Sequence, residues 1–273
     1  MSDDLLAAVE AAAGLAVYGA PPAASRRELV ARSIPGFGAD SAAAEGVREL
    51  LPQIAELHAE LADLTDVMVT GPALAARAMA LSLGRSLLDE PRAFERTVVV
   101  TEAIPPALWQ AYLDTGLTPA EARRHFVVVD GPEADLPALG DGAFSAAALI
   151  PAALAGVDVA ELLDQAEAFA PSLTSPSGNP ALALGLALAA AGKPVALISD
   201  GTGFEGFGEW AADLLAGVVA IGPGGLTVTF GGSLPPAAVP GGGTRPDLAV
   251  NGPLGAQFRC WEGAAAIARA LTD

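Results

Sequence analysis

Residues 177–202 read SGNPALALGLALAAAGKPVALISDGT: an apolar helix, a stop, and a short apolar strand opening into a polar loop. Asn179 is placed to cap the helix, and Pro180 suits its first turn, where a missing N–H costs nothing. Gly192 and Pro194 supply the stop. Val195 to Ile198 is unbroken apolar sequence, which predicts a parallel strand covered on both faces. Its continuation, Ser199-Asp200-Gly201-Thr202, falls where open α/β sheets bind ligands, beyond the carboxyl ends of strands. A second hydroxyl-rich run, Ser172, Thr174, Ser175 and Ser177, precedes the helix. Two such loops around one helix–strand unit suggest a site for a small polar or anionic ligand; the alternative is a pair of solvated turns.

The same alternation extends outward. Asp66 to Thr70 predicts a strand with a turn at Gly71, followed by a helix from Pro72 to about Leu83. Thr97 to Thr101 is a second strand, Pro106 to Asp114 a helix, and the run from His125 to Val129 a third strand. Strands alternating with helices indicate a parallel α/β sheet. Asp141 to Gln165 reads as helix broken at Pro151 and Gly156, and Glu205 to Leu215 as a helix with Phe207, Trp210 and Leu214 on one face. Leu226–Phe230 and Leu248–Val250 are further strands, and Leu254–Leu271 is the last helix. Upstream, Asp40 to Leu64 predicts a helix divided at Pro52, and residues 1–33 two helical pieces, about Asp4–Ala13 and Arg26–Arg32.

Composition narrows the function classes. Of 273 residues 52% are hydrophobic and mean hydropathy is +0.45, enough for a substantial core, yet no apolar run is long enough to span a bilayer. The start, Met1-Ser2-Asp3-Asp4, lacks the basic region of a signal peptide, so a cytoplasmic protein is expected. Cys260 is the only cysteine, which rules out an internal disulfide and a cysteine-rich metal site. Fourteen Lys+Arg against 32 Asp+Glu give a net charge of −18, and Lys193 is the only lysine. That balance argues against nonspecific nucleic-acid binding. An anionic metabolite is still compatible, held locally by backbone N–H groups and helix N-termini. No Walker loop, dinucleotide fingerprint or metal cluster stands in the sequence, so neither cofactor nor metal is expected.

Three segments resemble the phosphoglucose isomerase family, whose lobes are sugar-isomerase (SIS) domains. Ala146 to Leu163 resembles the helix pair after the first lobe's active-site strand. Asn179-Pro180 with its helix, then Phe207-Gly208-Glu209-Trp210, resembles the opening of the second lobe. Leu254-Gly255-Ala256-Gln257-Phe258-Arg259-Cys260-Trp261-Glu262 resembles the family's Leu-Gly-(Gly/Ala)-x-Phe-x-x-(Trp/Phe)-Glu helix. The resemblance implies an α/β fold of two SIS-like lobes, each a parallel sheet flanked by helices, with an N-terminal helical arm. The boundaries are 1–44 for the arm, 45–165 for the first lobe and 166–273 for the second. It also implies a sugar phosphate, or similar small anionic metabolite, as ligand and a homodimer as the working form.

The departures bear on catalysis. The family's Ser-Gly-Thr-Thr phosphate loop corresponds to Thr101-Glu102-Ala103-Ile104-Pro105-Pro106, where a carboxylate would repel phosphate and two prolines cannot donate N–H bonds. Its Gly-Gly-Arg corresponds to Leu139-Gly140-Asp141-Gly142, without arginine, and its catalytic glutamate falls at Gly217. The last catalytic lysine has no counterpart before Asp273. Asp213, one helical turn before Gly217, and Glu209, a further turn back, are the candidate displaced bases. Glu262 is the acidic residue inside a matched motif; its alternative role is an ion pair with Arg259 or Arg269. Candidate ligand-binding residues are Thr70 and Gly71 after the first strand, Ser175, Ser177 and Asn179 before the opening helix, and Ser199 and Thr202 after its strand. Three functions stay open: a degenerate SIS protein that binds a phosphosugar, an active aldose–ketose isomerase with rearranged catalytic groups, and a structural oligomerisation protein.

Overall fold

The computed structural model describes residues 8–10, 14–18, 48, 51–52, 66–69, 97–101, 104, 106–114, 116–128, 142–144, 146–154, 156–175, 178–202, 204–232 and 246–272. Its strands in chain order are β1 (Ala8–Glu10), β2 (Ala16–Tyr18), β3 (Asp66–Val69), β4 (Thr97–Thr101), β5 (Phe126–Val128), β6 (Val195–Ser199), β7 (Leu226–Gly231) and β8 (Leu248–Asn251). The helices are α1 (Pro106–Asp114), α2 (Pro119–Arg123), α3 (Ala146–Leu154), α4 (Val159–Leu173), α5 (Pro180–Ala190), α6 (Phe207–Leu214) and α7 (Leu254–Thr272). The chain divides into two compact units, Asp40–Ala160, and Met1–Ala39 together with Glu161–Asp273.

The unit Asp40–Ala160 holds a three-stranded sheet in the order β3-β4-β5, with both pairs parallel as the βα alternation predicts. Helix α3 packs on β3 and β4. It runs through Pro151, where the sequence suggests a break; the interruption comes at Gly156, whose φ is +82°. Leu149 and Ile150 are buried just before the proline, so packing outweighs the one hydrogen bond that Pro151 withholds. Tyr112, Ala122 and Phe126 form a buried cluster with Trp109 and Leu113 against it. Helix α2, which has no counterpart in the sequence reading, starts at a capping box. Glu121 Oε2 accepts from the Thr118 N–H at 2.8 Å, and Thr118 Oγ1 accepts from the Glu121 N–H at 3.3 Å. The Thr118 hydroxyl, donating to Glu121 Oε2 at 2.7 Å, and then the Thr118 N–H hold the exposed Glu121 carboxyl below its ordinary range. Arg48, Leu51 and Pro52, the described residues of the expected Asp40–Leu64 helix, are helical.

The other unit is built on a five-stranded sheet in the order β1-β2-β8-β7-β6. Strands β6, β7 and β8 run parallel, whereas β2 pairs antiparallel with β8 and β1 antiparallel with β2. Two expectations are corrected here. The helix expected over Asp4–Ala13 is strand at Ala8–Glu10, so the described part of the N-terminal arm belongs to the sheet. Alanine favours helix locally, but Val9, Val17 and Tyr18 suit a pleated surface, and pairing with Ala249–Asn251 decides the outcome. This sheet is therefore mixed, not parallel throughout.

Strand β6 is also an edge strand rather than one covered on both faces. Its outer neighbour among the described residues is a single bridge, Val195 to Ile221, and Ile198 is 43% exposed. Helix α5 takes the central place instead. Residues Pro180 to Leu188 are all buried, as expected of a helix apolar on every side. It packs along α7 at a distance only glycine permits: a Cβ on Gly185 would lie 2.8 Å from Ala264 O and from Ile267. Phe207 of α6 joins the segments that carry the family resemblance, with ring centroids 5.0 Å from Trp210, 5.2 Å from Phe258 and 6.0 Å from Trp261. No helix among the described residues is long and apolar enough to cross a membrane.

Candidate functional site

Parallel strands β6, β7 and β8 end together at Ser199, Gly231 and Asn251. Helix α5 leads into strand β6 through the turn at residues 191–194.

Asn179 is the predicted cap, and its side chain is fully committed to that work. Its Oδ1 accepts from the Leu182 N–H at 3.0 Å, while Nδ2 donates to Leu173 O at 3.0 Å and to Ser175 O at 3.3 Å. The residue is 3% exposed and ties the end of α4 to the start of α5. Pro180 has no N–H, and the Ala183 N–H is bonded to Asn179 O at 3.1 Å. Much of the donor capacity expected of this helix N-terminus is thus consumed internally. Ser175 lies half-buried in the preceding turn, its N–H bonded to Ser172 O at 3.2 Å. Ser177, Thr70 and Gly71 lie outside the described residues.

At the end of β6, Ser199 is exposed and its Oγ accepts from the Gly201 N–H at 3.2 Å. Asp200 turns inward and is 2% exposed. Its Oδ1 accepts from the Thr202 N–H at 2.8 Å and from the Thr202 hydroxyl, and Thr202 Oγ1 accepts from the Gly232 N–H at 2.7 Å. A relay thus runs from the β7 exit through Thr202 to one oxygen of Asp200. The other oxygen, Oδ2, is buried with no hydrogen-bond partner among the described residues. Such groups are rare because an unpaired buried polar atom is costly, and a charged one more so.

Gln257 fixes the neighbouring strand ends. Its Nε2 donates to Gly231 O and to Val250 O, both at 2.9 Å, and its Oε1 accepts from Trp261 Nε1 at 3.0 Å. The matched C-terminal motif therefore holds β7 and β8 in place. Gln257 was not nominated from sequence. Asp200 was visible as a strand-end Asp-Gly-Thr turn, but its burial depends on the β6–β7 register, which is nonlocal.

The nominated carboxylates lie on α6 and α7. Glu209 and Asp213 are exposed on α6, and this helix ends at Leu214. Gly217 lies beyond it with φ +76°, so the one-turn relation between Asp213 and Gly217 does not form. Glu262 makes the ion pair anticipated as its alternative, Oε2 to Arg259 Nη1 at 3.7 Å. Arg269 donates to Leu214 O at 2.6 Å. No cluster of three or more His, Cys, Asp or Glu able to hold a metal occurs among the described residues.

No known family profile matches the chain, and no curated protein matches it in sequence. Solved structures do match in fold. A glucose-6-phosphate isomerase from Chlamydia trachomatis D/UW-3/Cx superposes with a TM-score of 0.67 at 14% identity, covering 95% of this chain and 84% of that one. A hypothetical protein from Thermus thermophilus superposes with a TM-score of 0.62 at 16% identity, covering 89% of this chain and 87% of that one. At these identities the likeness is one of fold.

Proposed function

We propose that the chain binds a sugar phosphate, or a closely similar small anionic metabolite, and does not isomerise it efficiently. The observation that carries the reading is the glucose-6-phosphate isomerase-like fold over 95% of the chain. Ligands of parallel α/β folds bind beyond the strand carboxyl ends, where Ser199, Asp200 and Thr202 follow β6. Aldose–ketose isomerisation through an enediol needs a base beside the reacting carbons, donors for the developing oxyanion and an acid for ring opening. Glu209 and Asp213 are solvent-facing, and Glu262 is engaged with Arg259. That arrangement supports binding over turnover.

Calorimetry with glucose 6-phosphate and fructose 6-phosphate, beside a coupled isomerase assay on the same preparation, tests both halves. Saturable binding of at least one sugar phosphate is expected. If neither binds, the reading is wrong.

A further inference from the structure

We propose that Oδ2 of Asp200 is the acceptor for a ligand hydroxyl, so that Asp200 recognises the polyol part of the ligand rather than its anionic group. The proposal rests on the sugar-phosphate reading for the class of ligand. The position of the carboxylate is observed: 2% exposed, at the carboxyl end of β6, with Oδ1 saturated by Thr202 and Oδ2 without a partner among the described residues. A desolvated carboxylate oxygen with no donor is a poor structural element, because an amide of the same shape would keep the Thr202 bonds without burying a charge. It is a good recognition element, because a charge-assisted hydrogen bond in a dry site is about twice as strong as a neutral one.

The surroundings favour a hydroxyl over the other donors. An anion is excluded by charge. The absence of further acidic or His ligands among the described residues removes the coordination shell that a divalent cation needs. Gly231, the last residue of β7, lies against the carboxylate and adds no side chain beside it. Thr202, donating to Oδ1 and accepting from Gly232, holds the carboxylate in place.

The test uses the full chain and its Asp200→Asn variant, with glucose 6-phosphate, fructose 6-phosphate and neutral sorbitol as probes. Because Oδ1 must keep accepting from Thr202, the variant's amide nitrogen is forced into the place of Oδ2. Thermal melting should leave the variant as stable as the wild type or more so, while affinity for a probe that the wild type binds falls tenfold or more. A lower melting temperature, or failure to fold, would make Asp200 a structural anchor and overturn the proposal. Unchanged affinity for glucose 6-phosphate in the variant would overturn it while leaving the sugar-phosphate reading intact. Loss of sorbitol binding, with neither phosphate bound by the wild type, would uphold Asp200 and remove the phosphate from the reading. Binding of none of the three probes by the wild type would remove both.

Discussion

The carboxylate of Asp200 lies against the Cα of Gly231 so closely that a Cβ there would fall 1.9 Å from both Oδ1 and Oδ2. One register position thus couples the end of β6 to the end of β7. Gly231→Ala should destabilise the chain by about 1–3 kcal/mol, the range for forcing one methyl into a filled site. In an Asp200→Ala background the obstruction is gone, and the same substitution should cost much less. Urea unfolding of the two single variants and the double variant measures the difference. Additive losses would show that the two residues do not meet in solution.

Gln257 predicts a purely structural effect. Replacing it with Leu keeps the volume but strips donors from Val250 O and Gly231 O and the acceptor from Trp261 Nε1. Gly231 O retains the Gly252 N–H at 3.1 Å and Val250 is paired with β2 and β7 in the sheet, so the Trp261 indole N–H is the buried group that loses its partner. For one such group the loss should be about 1–3 kcal/mol. Equilibrium unfolding reads it directly, and a loss under about half a kcal/mol would mean that water or another group replaces the amide.

Local chemistry was legible in the sequence and sheet order was not. The Asn179-Pro180 start of α5 and the strands at 66–69, 97–101, 126–128 and 195–199 follow from caps, breakers and apolar runs that act within a few residues. The strand at Ala8–Glu10 was hidden by alanine's helical preference, because it is set by a pairing chain that reaches β8 at the far end of the sequence. The apolar run at Val195–Ile198 was rightly read as strand and wrongly as covered, since sheet position leaves no trace in composition. For the site, Ser199 and Thr202 were legible as hydroxyls at a strand end. The burial of Asp200 and the consumption of Asn179's polar atoms needed the tertiary contacts.

Tyr112 supplies a pH-dependent prediction. Burial raises its phenol from the ordinary 10.0 to about 12. The folded state then holds the proton more tightly than the unfolded chain. This contribution to stability is complete below pH 10.0 and is lost as pH rises toward about 12. In a Tyr18→Phe background, ultraviolet titration of the phenolate should give a midpoint at about 12, or a cooperative alkaline unfolding that exposes Tyr112. A smooth titration near 10.0 in folded protein would place Tyr112 in water.

The hydroxyl loop before α5 predicts an effect on binding without one on folding. Ser175 accepts an Asn179 bond through its backbone carbonyl, which alanine keeps. Replacing Ser175 and Ser177 together with Ala should weaken sugar-phosphate binding about three- to tenfold and shift the melting temperature by less than about two degrees, as is usual for substitutions away from a core. Unchanged affinity would place the ligand's anionic group elsewhere.

The last prediction concerns turnover. An isomerase site works as a unit, so removing several of its groups costs most of the rate. Of the three carboxylates nominated as replacement bases, Glu209 and Asp213 are exposed on α6 and Glu262 is paired with Arg259. Asp200 is buried at the right end of the sheet, but the relay through Thr202 occupies Oδ1 and fixes the carboxylate in place. The isolated chain should therefore turn over glucose 6-phosphate or fructose 6-phosphate far more slowly than the usual enzyme range of about 1–1000 per second. A coupled assay within that range would overturn the prediction. The Asp200→Asn variant should then be assayed first: abolished turnover with an unchanged melting temperature would identify Asp200 as the base that the exposed carboxylates could not supply.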